Sequence, residues 1–358
     1  MNETNEWSRL SRRRQQKKKR KGRITFILIF LFAIIAIAGT YYASKINHTI
    51  NLITQGVGNR TEQEANEIIK NAKPINVLLL GIDNGAYGRT EEDGRSDTML
   101  LLTINPTQKK SQLLSIPRDT YTEIVGAKIY DKLNHAYAYG KATMVINSVE
   151  KLFDTAIDFY VQINMEGLIE FVDAVGGIEV TSPLTFTYEN RTFIEGKTEL
   201  IDGESALRFA RMRYDDPDGD YGRQKRQRIV IEKLVEKLMS FSSITNFEQL
   251  MNAVSKNVKT DVPIGQVMAL KNTYGPALTS ENLSQAFMDE RQLLLKNNEG
   301  QQVYYSYATD EVLLKTSNSI RQLLEKPAVK TYPLLQQRED LYYLTIPEMI
   351  YCGGAYGR

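Results

Sequence analysis

The stretch PINVLLLGID, from Pro74 to Asp83, is the clearest structural signal in this 358-residue chain. Its apolar run ends at a glycine and an acidic residue, a pattern that predicts a buried strand. Further apolar runs follow at 98–104 and 112–116, and a proline closes each of them. The three runs therefore predict three consecutive strands at the start of one domain.

Helical periodicity follows these strands. Apolar residues recur at helical spacing over 142–153, 165–175 and 223–240. Gly176-Gly177 is a natural stop for the second of these helices, and a short strand is expected directly after it. Strands mixed with helices predict an α/β fold, a three-layer α/β/α sandwich with a central mixed sheet.

The N-terminal end carries a concentrated positive charge. Residues 1–23 hold ten basic and two acidic side chains, a net charge of +8. The rest of the chain holds 35 basic and 41 acidic side chains, a net charge of −6. The near-neutral total therefore combines a basic tail with an acidic domain. Nucleic acid is not expected as a partner of such a domain.

An apolar segment follows the basic tail directly. Residues 24–43 supply the roughly 20 residues that a bilayer core requires. Together with the basic flank they predict one transmembrane helix, an uncleaved anchor with a cytoplasmic N-terminus. A cleaved signal peptide is the alternative, because Ala36-Ile37-Ala38 resembles a cleavage site. A cut there would, however, fall inside the apolar run.

The remainder, 44–358, is then expected outside the cytoplasm. Its polar beginning, 44–73, predicts a stalk, and 74–325 predicts one folded domain. Residues 326–358 form a C-terminal tail without a predicted structure. The one cysteine, Cys352, excludes an internal disulfide, so a hydrophobic core must stabilise the domain.

Basic side chains are concentrated in FARMRY (209–214) and DYGRQKRQ (220–227), which hold four arginines and one lysine. Guanidinium groups bind phosphate oxygens in two-point fashion, so the block favours a multiply charged anion. Arg211 and Arg213 would share one side of an extended segment. Arg223 and Gln227 would share a helix face near a helix N-terminus. A solvated charged surface is the alternative.

Two aspartates flank the loop between the first two predicted strands. Asp83 ends the first strand and Asp97 begins the second, with Arg95 beside it. If the strands are neighbours, both carboxylates lie at one sheet edge, where Mg²⁺ or Mn²⁺ would bind. The alternative is that each aspartate caps a loop.

Arg118, in SIPRD (115–119), follows a predicted strand end, where open α/β sheets bind ligands. A surface pair between this arginine and the next aspartate is the alternative. The chain has only two histidines, His48 and His135, which makes a zinc site or a Ser-His-Asp triad improbable.

Seven segments resemble, in order, the LytR-CpsA-Psr proteins of Gram-positive cell walls. They are VLLLGID (77–83), GRSDT (94–98), SIPRD (115–119), KLNHAY (132–137), VGGI (175–178), FARMR (209–213) and DYGR (220–223) with Gln227. The resemblance covers roughly 75–240 and weakens towards 325.

The resemblance implies a membrane-anchored extracellular phosphotransferase. Such proteins take an anionic glycopolymer, a teichoic acid or capsular polysaccharide, from undecaprenyl pyrophosphate. They attach it to a sugar hydroxyl of peptidoglycan through a phosphodiester. The implied fold is an α/β/α sandwich with an apolar tunnel for the polyprenyl chain, held at the cell membrane of a Gram-positive bacterium.

The resemblance also implies roles for the charged residues. Asp83 and Asp97 are expected to hold Mg²⁺ or Mn²⁺, and Asp97 to assist deprotonation of the acceptor hydroxyl. The residues expected to bind the pyrophosphate are Arg95, Arg118, Arg211, Arg213, Arg223 and Gln227. Phosphoryl transfer relies on neutralised phosphate oxygens rather than on covalent help from protein, which agrees with these roles.

Two alternatives remain at this point. The same groups would serve a hydrolase that cleaves the pyrophosphate with water as acceptor. A non-catalytic reading makes the chain a membrane-bound transcriptional attenuator, whose basic tail touches nucleic acid or acidic lipid.

Overall fold

The fold is that of a computed structural model, which describes residues 62–83, 94–240, 250–252, 254–263, 266–296 and 300–331. The predicted basic tail and the predicted anchor, 24–43, lie outside these residues. Within the described ranges no helix is long and apolar enough to cross a membrane. Most of the predicted C-terminal tail also lies outside them.

Strands and helices alternate along the domain. The strands are β1 (Ile75–Asp83), β2 (Arg95–Asn105), β3 (Lys110–Ser115), β4 (Tyr121–Ile124), β5 (Ile129–Lys132), β6 (Phe159–Asn164), β7 (Ile178–Thr181), β8 (Phe186–Tyr188), β9 (Arg191–Phe193), β10 (Thr198–Ile201), β11 (Val258–Thr260), β12 (Leu283–Phe287), β13 (Arg291–Lys296) and β14 (Gln302–Tyr307). The helices are α1 (Glu62–Lys70), α2 (His135–Phe153), α3 (Met165–Ala174), α4 (Gly203–Arg211), α5 (Asp220–Ser240), α6 (Val267–Tyr274) and α7 (Asp310–Leu323).

A six-stranded mixed sheet in the order β11-β6-β1-β2-β3-β12 forms the centre. Strand β1 is antiparallel to β2 and parallel to β6. Strand β3 is antiparallel to β2 and parallel to β12. Because β1 has neighbours on both sides, most of its residues are buried. The predictions of a buried strand here and of an α/β fold with a central mixed sheet are confirmed.

Successive side chains of a strand point to opposite faces of the sheet, so alternate residues pack into two separate hydrophobic cores. Leu78 and Leu80 of β1 pack in a core with side chains of α2 and α7. Ile75 and Val77 pack in the other core, with side chains of α1, α5 and α6. Helices therefore cover both faces of the sheet, which gives the three layers.

The structure corrects two expectations about helices. The predicted polar stalk does not extend to residue 73, because α1 buries Ala65 and Ile69 in the core of the domain. Its polar composition is that of a short helix with one apolar side. Helix α2 begins before the predicted residue 142, but Gly140 and Lys141 have non-helical backbone angles and kink it there. The regular part of α2 thus begins where the apolar periodicity begins.

Candidate active site

An apolar cavity of about 560 Å³ lies between the central sheet and α5. Strands β1 and β6 contribute Leu79 and Val161, and α5 contributes Ile231 and Leu234. Leu79 is only half-buried, unlike its neighbours in β1, because it faces this cavity. The volume lies within the range of about 300–1,000 Å³ that is usual for pockets that bind small molecules.

Six charged residues and one glutamine also line this cavity. Seven of the predicted site residues are found there: Asp83, Asp97, Arg118, Arg211, Arg213, Arg223 and Gln227. Arg95 is exposed on β2 and is not among the lining residues. The structure therefore brings together every predicted site residue except Arg95.

The two aspartates reach the cavity from adjacent strands, as the sequence predicted. Asp83 is the last residue of β1, and Asp97 lies on β2 at a register shift opposite Gly81 and Ile82. At this point the strands approach closely, because a Cβ added to Gly81 would lie 2.9 Å from the Cβ of Thr98. The glycine therefore allows the irregular pairing that places Asp97 at the cavity.

Arg118 and Asp97 form an ion pair, with 2.8 Å between Nη1 and Oδ2. Asn134 holds both residues in place. Its side-chain amide donates to Asp97 Oδ1 at 3.1 Å, and its backbone N–H donates to the carbonyl oxygen of Arg118 at 3.0 Å. Sequence reasoning missed this role, although Asn134 lies inside the segment KLNHAY.

Arg223 and Arg213 share one carboxylate on the other side of the cluster. Arg223 Nη2 lies 2.7 Å from Asp220 Oδ1, and Arg213 Nε lies 3.5 Å from the same oxygen. Asp220 and Arg223 both belong to the first turn of α5, so the helix fixes their spacing. Asp220 is a second residue that sequence reasoning missed.

Arg211 and Arg213 do not lie on one extended segment, which corrects the sequence prediction. Arg211 is the last residue of α4, and Met212 leaves the helix with ψ of 136°. The turn at Met212 nevertheless lets both arginines line the cavity. Arg211 also lies 3.9 Å from Glu189, a weak and half-exposed pairing.

The fourth arginine of the block, Arg226, is fully buried and does not line the cavity. It donates to the carbonyl oxygen of Phe209 at 2.9 Å and also to that of Met212. It forms an ion pair with Asp216 as well. Arg226 therefore holds the segment that carries Arg211 and Arg213, a structural role that the sequence block conceals.

Two arginines of the cluster retain unused donors. Among the described residues, Nε of Arg118 and Nε of Arg223 are buried without a hydrogen-bond partner. Buried polar groups normally have such partners, and these two donors belong to residues that line the cavity. Because both groups are cationic, they suit an anion as their hydrogen-bond acceptor.

The electrostatics of the two guanidinium groups differ. Burial lowers the pKa of Arg118, but the charges of Asp97, Asp119 and Asp220 outweigh it and raise that pKa above its ordinary value. For Arg223 burial is the largest effect, and its pKa falls below the ordinary value despite Asp220. A bound anion would therefore favour the charged form of Arg223, which burial disfavours.

The donor set fits a divalent cation in part. In the described portion of the chain, no three His, Cys, Asp or Glu side chains gather as a metal-binding group. Asp83 and Asp97 nevertheless supply hard carboxylate oxygens at the arginine cluster. Mg²⁺ commonly binds to only one or two carboxylates and completes its shell with water and substrate phosphates. The two aspartates therefore fit Mg²⁺ when a phosphate ligand is present.

The site is an apolar cavity with an arginine cluster in its wall, within an α/β/α domain, and such a cavity suits a ligand that has an apolar part and an anionic head. The LytR_cpsA_psr family model matches residues 40–321, and the chain belongs to this family.

Named relatives share most of this length. The chain is 43% identical over 262 residues to the Enterococcus faecalis polyisoprenyl-teichoic acid–peptidoglycan teichoic acid transferase TagU, an alignment covering 72% of this chain and 85% of that protein. The crystal structure of B. subtilis TagU is 34% identical, with a TM-score of 0.57, over 72% of this chain and 99% of that one. The structure of TagT bound to LIIa-WTA is 27% identical, with a TM-score of 0.56, and the match covers 71% of this chain and 91% of that one.

Proposed function

We propose that this protein is a phosphotransferase that moves an anionic glycopolymer, a teichoic acid, from polyprenyl pyrophosphate to peptidoglycan. The observation that carries the proposal is the single cavity that joins an apolar wall to the unsatisfied guanidinium donors of Arg118 and Arg223. A polyprenyl pyrophosphate has both chemistries, a hydrocarbon chain and a doubly phosphorylated head. The transferase names of the relatives support the same donor and acceptor.

In this proposal the apolar wall holds the polyprenyl chain and the arginines hold the pyrophosphate. An acceptor hydroxyl oxygen attacks the phosphorus nearer to the glycopolymer and forms a new P–O bond. The bond from that phosphorus to the bridging oxygen breaks, and polyprenyl phosphate leaves. The arginines act by neutralising the phosphate oxygens while negative charge moves onto the leaving group.

The proton of the acceptor hydroxyl needs a base. Asp97 lines the cavity and is held by Arg118 and Asn134, so its carboxylate has a fixed position beside the phosphates. We assign the proton to this carboxylate. Asp83 and Asp97 would also hold Mg²⁺, and the bound cation would add positive charge at the pyrophosphate oxygens.

The proposed location is the outer face of the cell membrane of a Gram-positive bacterium. The anchor at 24–43 and the cytoplasmic N-terminus are part of the proposal, which rests on the hydropathy and charge of the sequence. Protease treatment of intact protoplasts should degrade the domain and spare an N-terminal epitope tag. Protection of the domain would overturn this orientation.

The transferase is tested with the full-length protein in detergent, a synthetic polyprenyl-pyrophosphate-linked saccharide, Mg²⁺ and peptidoglycan oligomers. Mass spectrometry should detect a sugar-phosphate adduct on the glycan. Arg118→Ala and Asp97→Ala should abolish the adduct. Arg95→Ala is the matched control, because it removes an arginine that does not line the cavity.

Other outcomes of this assay would reject the proposal. Carrier cleavage that always uses water, with no adduct on the glycan, would indicate a hydrolase. An attenuator would show no turnover, and its cellular function would survive Arg118→Ala but not removal of residues 1–23.

The same assay tests the proposed metal. A chelator should reduce transfer, and excess Mg²⁺ or Mn²⁺ should restore it.

A further inference from the structure

Aromatic side chains form a partly exposed strip beside the arginine cluster. We name the following residues the aromatic strip: Phe287, Tyr221, Tyr304, Tyr305, Tyr121 and Tyr130. Ring centroids are 5.9 Å apart for Tyr221 and Phe287, 5.1 Å for Tyr121 and Tyr305, and 5.7 Å for Tyr121 and Tyr130. Phe287 is 57% exposed and Tyr221 is 43% exposed. Exposed apolar surface that is contiguous is typical of interaction sites, which makes this cluster a candidate.

The aromatic strip is assembled from five elements, α5, β4, β5, β12 and β14. The packing of no single helix or strand therefore explains it. Lys132 connects two parts of the strip, because its Nζ lies 5.8 Å from the ring centre of Tyr304 and 5.7 Å from that of Tyr305. The same ammonium group lies 2.8 Å from Asp119, which neutralises it.

Glu290 ties the aromatic strip to the arginine cluster. Its side chain accepts from the hydroxyl of Thr120 at 2.7 Å, and its backbone carbonyl accepts from Tyr221 Oη at 3.2 Å. Thr120 follows Arg118 by two residues, and Tyr221 precedes Arg223 by two. The chain segments that carry Arg118 and Arg223 therefore both contact Glu290 at one edge of the aromatic strip.

The chemistry of the surface selects an uncharged sugar ligand. The C–H face of a pyranose ring packs against the negative face of an aromatic ring. Phenols and carboxylates hydrogen-bond to hydroxyl and acetamido groups, and burial raises the pKa of Tyr221 and of Tyr304, so both phenols keep their protons.

The charges around the aromatic strip argue against two other occupants. Asp119 is paired with Lys132 and Arg118, and Asp131 is paired with His135. An anionic lipid surface is attracted by clusters of unpaired lysine and arginine, which the described residues of the strip do not contain. A polyanionic teichoic acid needs the same unpaired positive charge.

We propose that the aromatic strip is the docking surface for the acceptor, an uncharged strand of N-acetylhexosamines in peptidoglycan. This inference rests on the proposed function. A strand lying on the aromatic strip passes the arginine cluster, where one sugar hydroxyl can meet the activated phosphorus. Stacking of several rings gives the affinity, and the arginines give the chemistry.

The test measures binding and turnover separately with the full-length protein in detergent. Binding uses peptidoglycan glycan strands whose peptides are removed and whose lactyl carboxylates are then capped as amides, so that the strands are uncharged, and turnover uses the same strands as acceptor. The variants are Tyr304→Ala and Phe287→Ala, both exposed positions. Leu200→Ala is the matched control, because Leu200 is 61% exposed on β10, which does not contribute to the strip.

Each strip variant should bind the strands about tenfold more weakly, the equivalent of about 1.4 kcal/mol. KM for the acceptor should rise similarly, while KM for the lipid donor and binding by Leu200→Ala stay unchanged. Wild-type binding in both variants would overturn the proposal. A rise in KM for the lipid donor alone would also overturn it. A third contrary result would be variants that bind anionic vesicles more weakly but bind glycan strands as the wild type does. If the wild-type protein binds glycan but transfers nothing to it, the proposed function fails while the docking surface stands.

Discussion

Replacing Arg226 by methionine tests how the arginine segment is held. Methionine keeps an apolar stem of similar length but removes the guanidinium group. The change leaves Asp216 as a buried carboxylate without its ion-pair partner, and the carbonyls of Phe209 and Met212 without donors. Removing one partner of a buried ion pair costs about 3–5 kcal/mol. Since the whole domain is stabilised by about 5–15 kcal/mol, a large fraction of its stability should disappear.

Urea unfolding of the full-length protein in detergent, followed by far-ultraviolet circular dichroism, measures this loss. We expect Arg226→Met to lower the free energy of unfolding by about 4 kcal/mol. Lys225→Met is the control, because Lys225 is exposed and its loss should change stability by less than about 0.5 kcal/mol. Adding Asp216→Leu to Arg226→Met should recover part of the loss, because the unpaired carboxylate is gone.

Activity gives a second measure of the same perturbation. Because Arg226 positions the backbone of Arg211 and Arg213, the methionine variant should have a raised KM for the lipid donor where it remains folded. The reasoning is refuted if Arg226→Met unfolds within about 1 kcal/mol of the wild type and keeps its KM. Arg226 would then be a buried but replaceable side chain.

Three further predictions concern the buried acid Glu290, the width of the apolar cavity and the side-chain amide of Asn134. Burial raises the pKa of Glu290 from 4.5 to about 8, so the folded state keeps a proton that the unfolded state releases. Stability should therefore fall by a few kcal/mol between pH 4.5 and 8 and level off above, at about 1.4 kcal/mol per pKa unit. In Glu290→Gln, the free energy of unfolding, measured by urea titration at each pH, should depend less on pH. If its pH dependence were unchanged, Glu290 would not be the source. Leu168 of α3 lines the cavity, so Leu168→Trp should narrow it and raise KM for a long polyprenyl donor about tenfold more than for a short-chain donor, as steady-state kinetics would show. An equal effect on both donors would mean that the polyprenyl chain binds elsewhere. Asn134→Ala removes a hydrogen bond to Asp97 and should lower kcat about tenfold with little change in KM, and a pure KM effect would contradict that role.

The sequence predicted those parts of the fold that a local pattern specifies. The apolar side chains of β1 point to both faces of the sheet and are all kept from water only in an interior strand, and the structure places β1 there. Strand β6 was not predicted, because FYVQIN contains two polar residues, and its pairing with β1 depends on distant contacts. The edge strand β12, LSQAF, has two adjacent polar residues and no regular alternation, so it gives an even weaker signal.

The candidate site shows the same division between local and tertiary information. Arg118 and Arg223 were recognised by their positions at a strand end and a helix start, and both line the cavity. Arg226 carries the same charge, but its burial depends on Asp216 and two carbonyl groups that sequence spacing does not bring together. The apolar cavity could not be predicted either, because Leu79 looks like any other core residue of β1.

The pairing of β3 with β12 has a consequence for the order in which the domain can fold. Every predicted site residue precedes residue 228, yet β3 acquires its outer neighbour only when Leu283–Phe287 is available. Until then one edge of the sheet presents unpaired backbone groups, which readily pair with another chain. Contacts between segments so far apart also form slowly. A nascent or truncated chain can therefore contain all the arginines that line the cavity and still be prone to aggregate, so the last segments synthesised protect the first ones.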